Sequence, residues 1–101
     1  MSITVGRFEF DGPYADTGYL EERSGVYAIL CRQNGGYGVV DVGESATVRS
    51  RVENHDRVAC WRGVSNALAV AVCYTPGLQQ SGRQAIEQEL RNRFDPPCGD
   101  R

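Results

Sequence analysis

The chain has 101 residues, a formal net charge of −2 and 41% hydrophobic residues. This composition fits one globular domain with a single modest core and excludes a disordered chain. The acidic balance argues against strong non-specific nucleic-acid binding, but not against a local basic patch. No lysine is present, so no amine side chain serves as a base or Schiff-base nucleophile. Arginine here is a donor and a fixed charge.

Met1 to Phe10 shows no basic segment followed by an apolar run, and the longest apolar stretch, Ala67 to Tyr74, is too short to span a bilayer. The expected location is therefore cytoplasmic, with no membrane partner. Cys31, Cys60, Cys73 and Cys98 are widely spaced and form no CxxC pair. Cys31 and Cys73 read as small core residues, and a disulfide framework is not expected.

Residues 3–10 partly alternate apolar and polar, with Ile3, Val5, Phe8 and Phe10 as anchors. They predict an edge strand or extended arm, broken at Gly6 and ended by Asp11-Gly12-Pro13. Residues 14–24 read as a loop with one helical turn near Tyr19 to Glu22. Val26 to Cys31 is a strand with Tyr27, Ile29 and Cys31 on one face and Val26, Ala28 and Leu30 on the other. Gln33-Asn34-Gly35-Gly36 has hairpin-turn chemistry. Tyr37 to Val42 returns, with Asp41 on the face of Tyr37 and Val39, an unusual place for a carboxylate.

Gly43 permits a tight turn, and Ser45 or Thr47 caps a helix running to Asn54 or His55. Arg51 and His55 would share a face of that helix, four residues apart. Residues 56–66 read as a polar loop holding Cys60 and Trp61. Ala67 to Tyr74 is a strand buried on both faces. Ser81 and Gln84 form a capping-box signature, and Ile86, Leu90 and Phe94 mark the buried stripe of the last helix. Glu87 falls at the edge of that stripe, and Asp95-Pro96-Pro97 ends the helix.

In this order the chain resembles the GIY-YIG nuclease family. Gly25-Val26-Tyr27 matches the first motif and Asp41-Val42-Gly43 matches the second, with aspartate in place of the second tyrosine. The intervals to the family's arginine and histidine fall on Arg51 and His55. The glutamate about nine residues before a proline falls on Glu87, ahead of Pro96. The asparagine expected shortly after that proline is replaced by Gly99. The resemblance covers residues 24–99 and implies an α/β (α+β) fold. That fold is a small three-stranded antiparallel sheet flanked by helices, as one domain over residues 1–101, with residues 1–23 as an extension that could add an edge strand.

The resemblance implies metal-dependent cleavage of phosphodiester bonds. Glu87 would hold Mg²⁺ or Mn²⁺. Arg51 would donate to phosphate oxygens. Tyr27 would orient or deprotonate water, and His55 would assist proton transfer. Asp41 would serve as a further metal ligand or a base, or would place an unwanted negative charge near the phosphate. Gly25 and Gly43 are the motif glycines, and Arg49, Arg57 and Arg62 are candidate contacts to nucleic acid, DNA first. The alternative is an inactive module that binds nucleic acid or a protein partner through the same cleft. On either reading, a separate protein partner or a homo-oligomer would supply specificity. A zinc-stabilised domain using His55, Cys60 and Cys98 is the least favoured reading.

Overall fold

A computed structural model describes residues 1–99 of the protein. Strands β1 (Ser2–Val5), β2 (Phe8–Tyr14), β3 (Gly25–Gln33), β4 (Gly36–Ser45) and β5 (Leu68–Tyr74) form one sheet with the order β1-β2-β5-β3-β4. All its pairings are antiparallel. Helices α1 (Val48–Glu53) and α2 (Val58–Val64) lie between β4 and β5, and α3 (Gln80–Phe94) follows β5. No helix among the described residues is long and apolar enough to cross a membrane.

The α+β character agrees with expectation, but the sheet has five strands rather than three. The N-terminal segment is a hairpin, not a single arm. Gly6 adopts φ +63°, which turns the chain between Val5 and Phe8. A Cβ at Gly6 would lie 2.8 Å from Leu90 of α3, so the tight turn also makes room for the helix. Strand β2 continues through Gly12-Pro13, where its pairing with β5 shifts register. A proline that cannot donate is tolerated at such an irregularity.

The β3–β4 hairpin follows from local chemistry. Asn34 and Gly35 have φ of +49° and +79°, the backbone that a two-residue turn needs. The two faces of β3 are as expected. Tyr27, Ile29 and Cys31 enter one core with Val48, Val52 and Trp61. Val26, Ala28 and Leu30 enter a second core with Phe10, Val42, Ala71 and Leu90. Central β5 is flanked by β2 and β3 and contributes to both cores, so its lack of alternation reflects burial on both faces.

Strand β4 departs from simple alternation. Ile29 pairs with Asp41 but Leu30 pairs with Val39, leaving Val40 as an extra residue. This bulge reverses the phase, so Asp41 and Val39 do not share a face as expected. Val40 packs with Tyr27 and Trp61, whereas Val39 packs with the second core.

The helices also differ from the reading of the sequence. Helix α1 stops at Glu53, where the Asn54 side chain donates to the Ser50 carbonyl, so His55 lies beyond the helix. Residues 56–66 are not a loop throughout but contain α2, whose Trp61 is buried. Helix α3 begins one residue before Ser81, with Gln79 as N-cap and no side-chain cap. The turn in which Leu78 N–H donates to the Thr75 carbonyl delivers the chain early to that start. Leu90 is fully buried and Ile86 partly so, while Phe94 is exposed.

Cys60 and Cys98 form a disulfide, contrary to expectation. It joins α2 to the segment after α3, where the Cys98 N–H donates to the Val40 carbonyl on edge strand β4. That contact covers part of an open sheet edge. The zinc reading through His55, Cys60 and Cys98 is thereby overturned, because both thiols are consumed. Cys31 and Cys73 are free and at least partly buried, as expected.

Candidate functional site

The glycines of both motifs are places of close approach. A Cβ at Gly25 would lie 2.7 Å from the Cys73 carbonyl oxygen of β5. Gly43 is the cross-strand partner of Tyr27, and a Cβ there would collide with the Tyr27 ring and hydroxyl. The bare backbone of β4 therefore lets Tyr27 lean across the sheet.

Tyr27 is buried, and its Oη lies 2.7 Å from Nε2 of buried His55. The imidazole meets Tyr27 edge-on and packs at 4.6 Å from the Trp61 ring. His55 Nδ1 accepts from the Arg57 backbone N–H at 3.0 Å. Burial lowers the His55 pKa to about 4, helped by the positive charges of Arg51 and Arg57 and opposed by Asp41 and Asp56. The imidazole is therefore neutral near pH 7. The 3.3 Å approach of Nδ1 to Asp56 is then not an ion pair. Burial also raises Tyr27, to about 12, against the pull of Arg51 and Arg57.

Asp41 lies at the bulge with its side chain wholly buried. Its carboxylate accepts from Arg57 Nε at 2.8 Å, Trp61 Nε1 at 2.7 Å, Arg91 at 2.7 Å and the Val42 N–H at 2.8 Å. Burial works to raise its pKa, but the hydrogen bonds from Arg57, Trp61 and Arg91 outweigh burial and leave it lowered. Two guanidiniums thus neutralise the Asp41 charge. Arg91 also donates to the Val42 and Cys98 carbonyls. Gly99 covers this pair at φ +94°, where a Cβ would come within 2.6 Å of Arg91 and 2.9 Å of Asp41. The two departures from the family pattern, Asp41 and Gly99, are therefore parts of one packed arrangement.

Glu87 lies on α3 with a quarter of its side chain exposed, 3.6 Å from Arg91 Nε. Burial raises its pKa, with Glu44 adding to the rise and Arg91 opposing it. Glu44 itself is paired with Arg83 at 2.9 Å. Arg51 on α1 is about a third exposed and bonds Asp56 at 3.2 Å. Of the candidate nucleic-acid contacts, Arg57 is committed to Asp41, Arg49 pairs with Glu53 at 3.3 Å, and Arg62 is exposed without an ion pair among the described residues.

The charges acting on the Tyr27 hydroxyl are those of Arg51, Arg57, Asp41 and Glu87. Of the expected set, the fold brings Tyr27 and His55 into a direct hydrogen bond, while Asp41 is paired with Arg57 and Arg91, Arg51 with Asp56, and Glu87 with Arg91. Arg91 and the roles of Arg57 and Trp61 at Asp41 were missed. Their only signal was Asp41 itself, since a buried carboxylate needs cationic or donor partners.

No family model, curated protein or solved structure matches the chain.

Proposed function

We propose that the protein is a metal-dependent nuclease of GIY-YIG type that hydrolyses phosphodiester bonds in nucleic acid, DNA first. The supporting observation is the buried Tyr27–His55 hydrogen bond of 2.7 Å, whose tyrosine feels the charges of Arg51, Arg57 and Glu87. Arg51 retains exposure, and among the described residues its ion-pair partner is an exposed aspartate, which it can exchange for a phosphate.

Glu87 has suitable chemistry for Mg²⁺ or Mn²⁺. It is a hard oxygen donor whose negative charge is disfavoured by burial and by Glu44, a situation that a cation relieves. When bound, the ion supplies charge neutralisation at the phosphate. Arg51 orients the phosphate and offsets its developing charge, Tyr27 hydrogen-bonds at the reacting centre, and His55 holds Tyr27. Asp41 holds Arg57 and Arg91 in place rather than serving as ligand or base.

A second reading, a binding module without catalysis, is favoured by the ion pair between Glu87 and Arg91. The deciding experiment offers duplex, single-stranded and branched DNA and RNA to the folded protein with Mg²⁺ or Mn²⁺. Cleavage lost in both Glu87→Ala and Arg51→Ala supports the nuclease. No cleavage by folded wild type, together with binding that Arg51→Ala weakens, supports the module.

A further inference from the structure

We infer that Tyr27 is a hydrogen-bond donor to a phosphoryl oxygen, fixed in that sense by His55, and that neither residue is the base of the reaction. The catalytic part rests on the nuclease reading above; the direction of the Tyr27–His55 bond does not.

The Arg57 backbone N–H points at His55 Nδ1 across 3.0 Å. An amide N–H can only donate, so Nδ1 is an acceptor and carries no proton. A neutral imidazole then has its proton on Nε2, which lies 2.7 Å from Tyr27 Oη. His55 donates and Tyr27 accepts. The reverse arrangement would put a proton on Nδ1, facing the Arg57 N–H donor to donor. Asp56 lies 3.3 Å from Nδ1, but accepting that proton would not remove the opposed Arg57 N–H.

The phenol's own proton is then uncommitted. His55 is the only hydrogen-bond partner of Tyr27 Oη among the described residues. A buried donor without an acceptor is costly to keep, which suits a group held for an oxygen that arrives with the substrate. Accepting from the imidazole polarises the hydroxyl and strengthens it as a donor. The other groups facing this pair are Arg51 from α1, Arg57 before α2, Asp41 from β4, Asp56 and, on α3, Glu87. Tyr27 transfers no proton in this role. His55 is a positioning residue, and its backbone lock is supplied by Arg57.

The chain has a single histidine, so ¹⁵N spectra of the intact protein read the tautomer without ambiguity. The expected result at neutral pH is protonated Nε2 and bare Nδ1. A protonated Nδ1, in either the neutral or the cationic ring, overturns the inference. In cleavage assays with Mn²⁺, Tyr27→Phe is expected to lose about a hundred- to a thousandfold in rate. The loss should be the same at every pH, and His55→Gln, which can still donate, should retain more activity than His55→Ala. A rise in wild-type rate at high pH that Tyr27→Phe lacks would make Tyr27 the base and overturn the assignment. If folded wild type cleaves nothing, the nuclease reading fails by itself. Inorganic phosphate titrated into the labelled protein then decides the donor role. A shift at His55 Nε2 that disappears in Tyr27→Phe sustains it, and no shift overturns it.

Discussion

Asp41 and Glu87 are carboxylates joined through one arginine, yet they are treated in opposite ways. Asp41 is wholly buried and lowered in pKa, with donors from α2, α3 and its own strand. Glu87 is partly exposed and raised, with Arg91 at 3.6 Å as its ion-pair partner. The first arrangement ties β4, the start of α2, and α3 together through its hydrogen bonds. The second region, with Tyr27, His55, Arg51 and Glu87, keeps unspent bonding capacity. Burial of charge is affordable where every partner is supplied by the fold, and spare capacity is useful where a ligand can complete it.

The largest effects should come from breaking the satisfied arrangement. Asp41→Ala leaves Arg91 and Arg57 without their shared anion and is expected to cost about 3–5 kcal/mol in urea unfolding. Asp41→Tyr, which introduces the tyrosine of the family the chain resembles, should lose a similar amount, because Gly99 and Trp61 close over the site. A cost of only about 1 kcal/mol would show that the pairs are not structural. Cys60→Ser comes next. The bridge spans 38 residues and anchors the strap over Val40, so its loss, or reduction of the wild type, should cost about 2–4 kcal/mol.

Acid should separate the two regions by a smaller amount. The folded His55 pKa of about 4 lies below its ordinary value of 6.5. The unfolded chain therefore binds more protons between those values, and stability is full above 6.5 and falls as pH drops toward about 4. The groups around His55, namely Tyr27, Arg51, Arg57, Asp41 and Asp56, act on the same titration. His55→Gln should flatten that part of the pH–stability curve. A curve unchanged by the variant would place the acid sensitivity elsewhere. The smallest effect is expected at Arg62 and Arg49, both of which are exposed. Alanine at either should change stability by no more than about 0.5 kcal/mol. If they contact nucleic acid, the salt dependence of binding should become shallower.

The hairpin was legible because its signals are local. Alternation in Val26 to Cys31 and the positive-φ demand at Asn34-Gly35 need no distant partner. Gly43 and Tyr27 could be named as motif residues, but their collision geometry needed the pairing of β3 with β4. Arg51 and His55 were readable as candidates, though not as helix neighbours, since Asn54 ends α1 between them. Helix α2 was not legible. Its seven-residue segment is short, and Trp61 is fixed by contacts with Asp41 and His55 that only the folded chain supplies.

The sequence alone determined the strands whose alternation or double burial is written in consecutive residues, and the turn at Asn34-Gly35. The tertiary structure decided what each polar group is spent on. One extra residue at Val40 set where Asp41 points, and residues 16, 20 and 50 positions away supplied its donors. The partner of Cys60 was chosen 38 residues away, and the tautomer of His55 by a backbone N–H. Local pattern dictates which residues tend to be buried, but charge pairing, proton placement and disulfide choice depend on distances that exist only after the chain has folded.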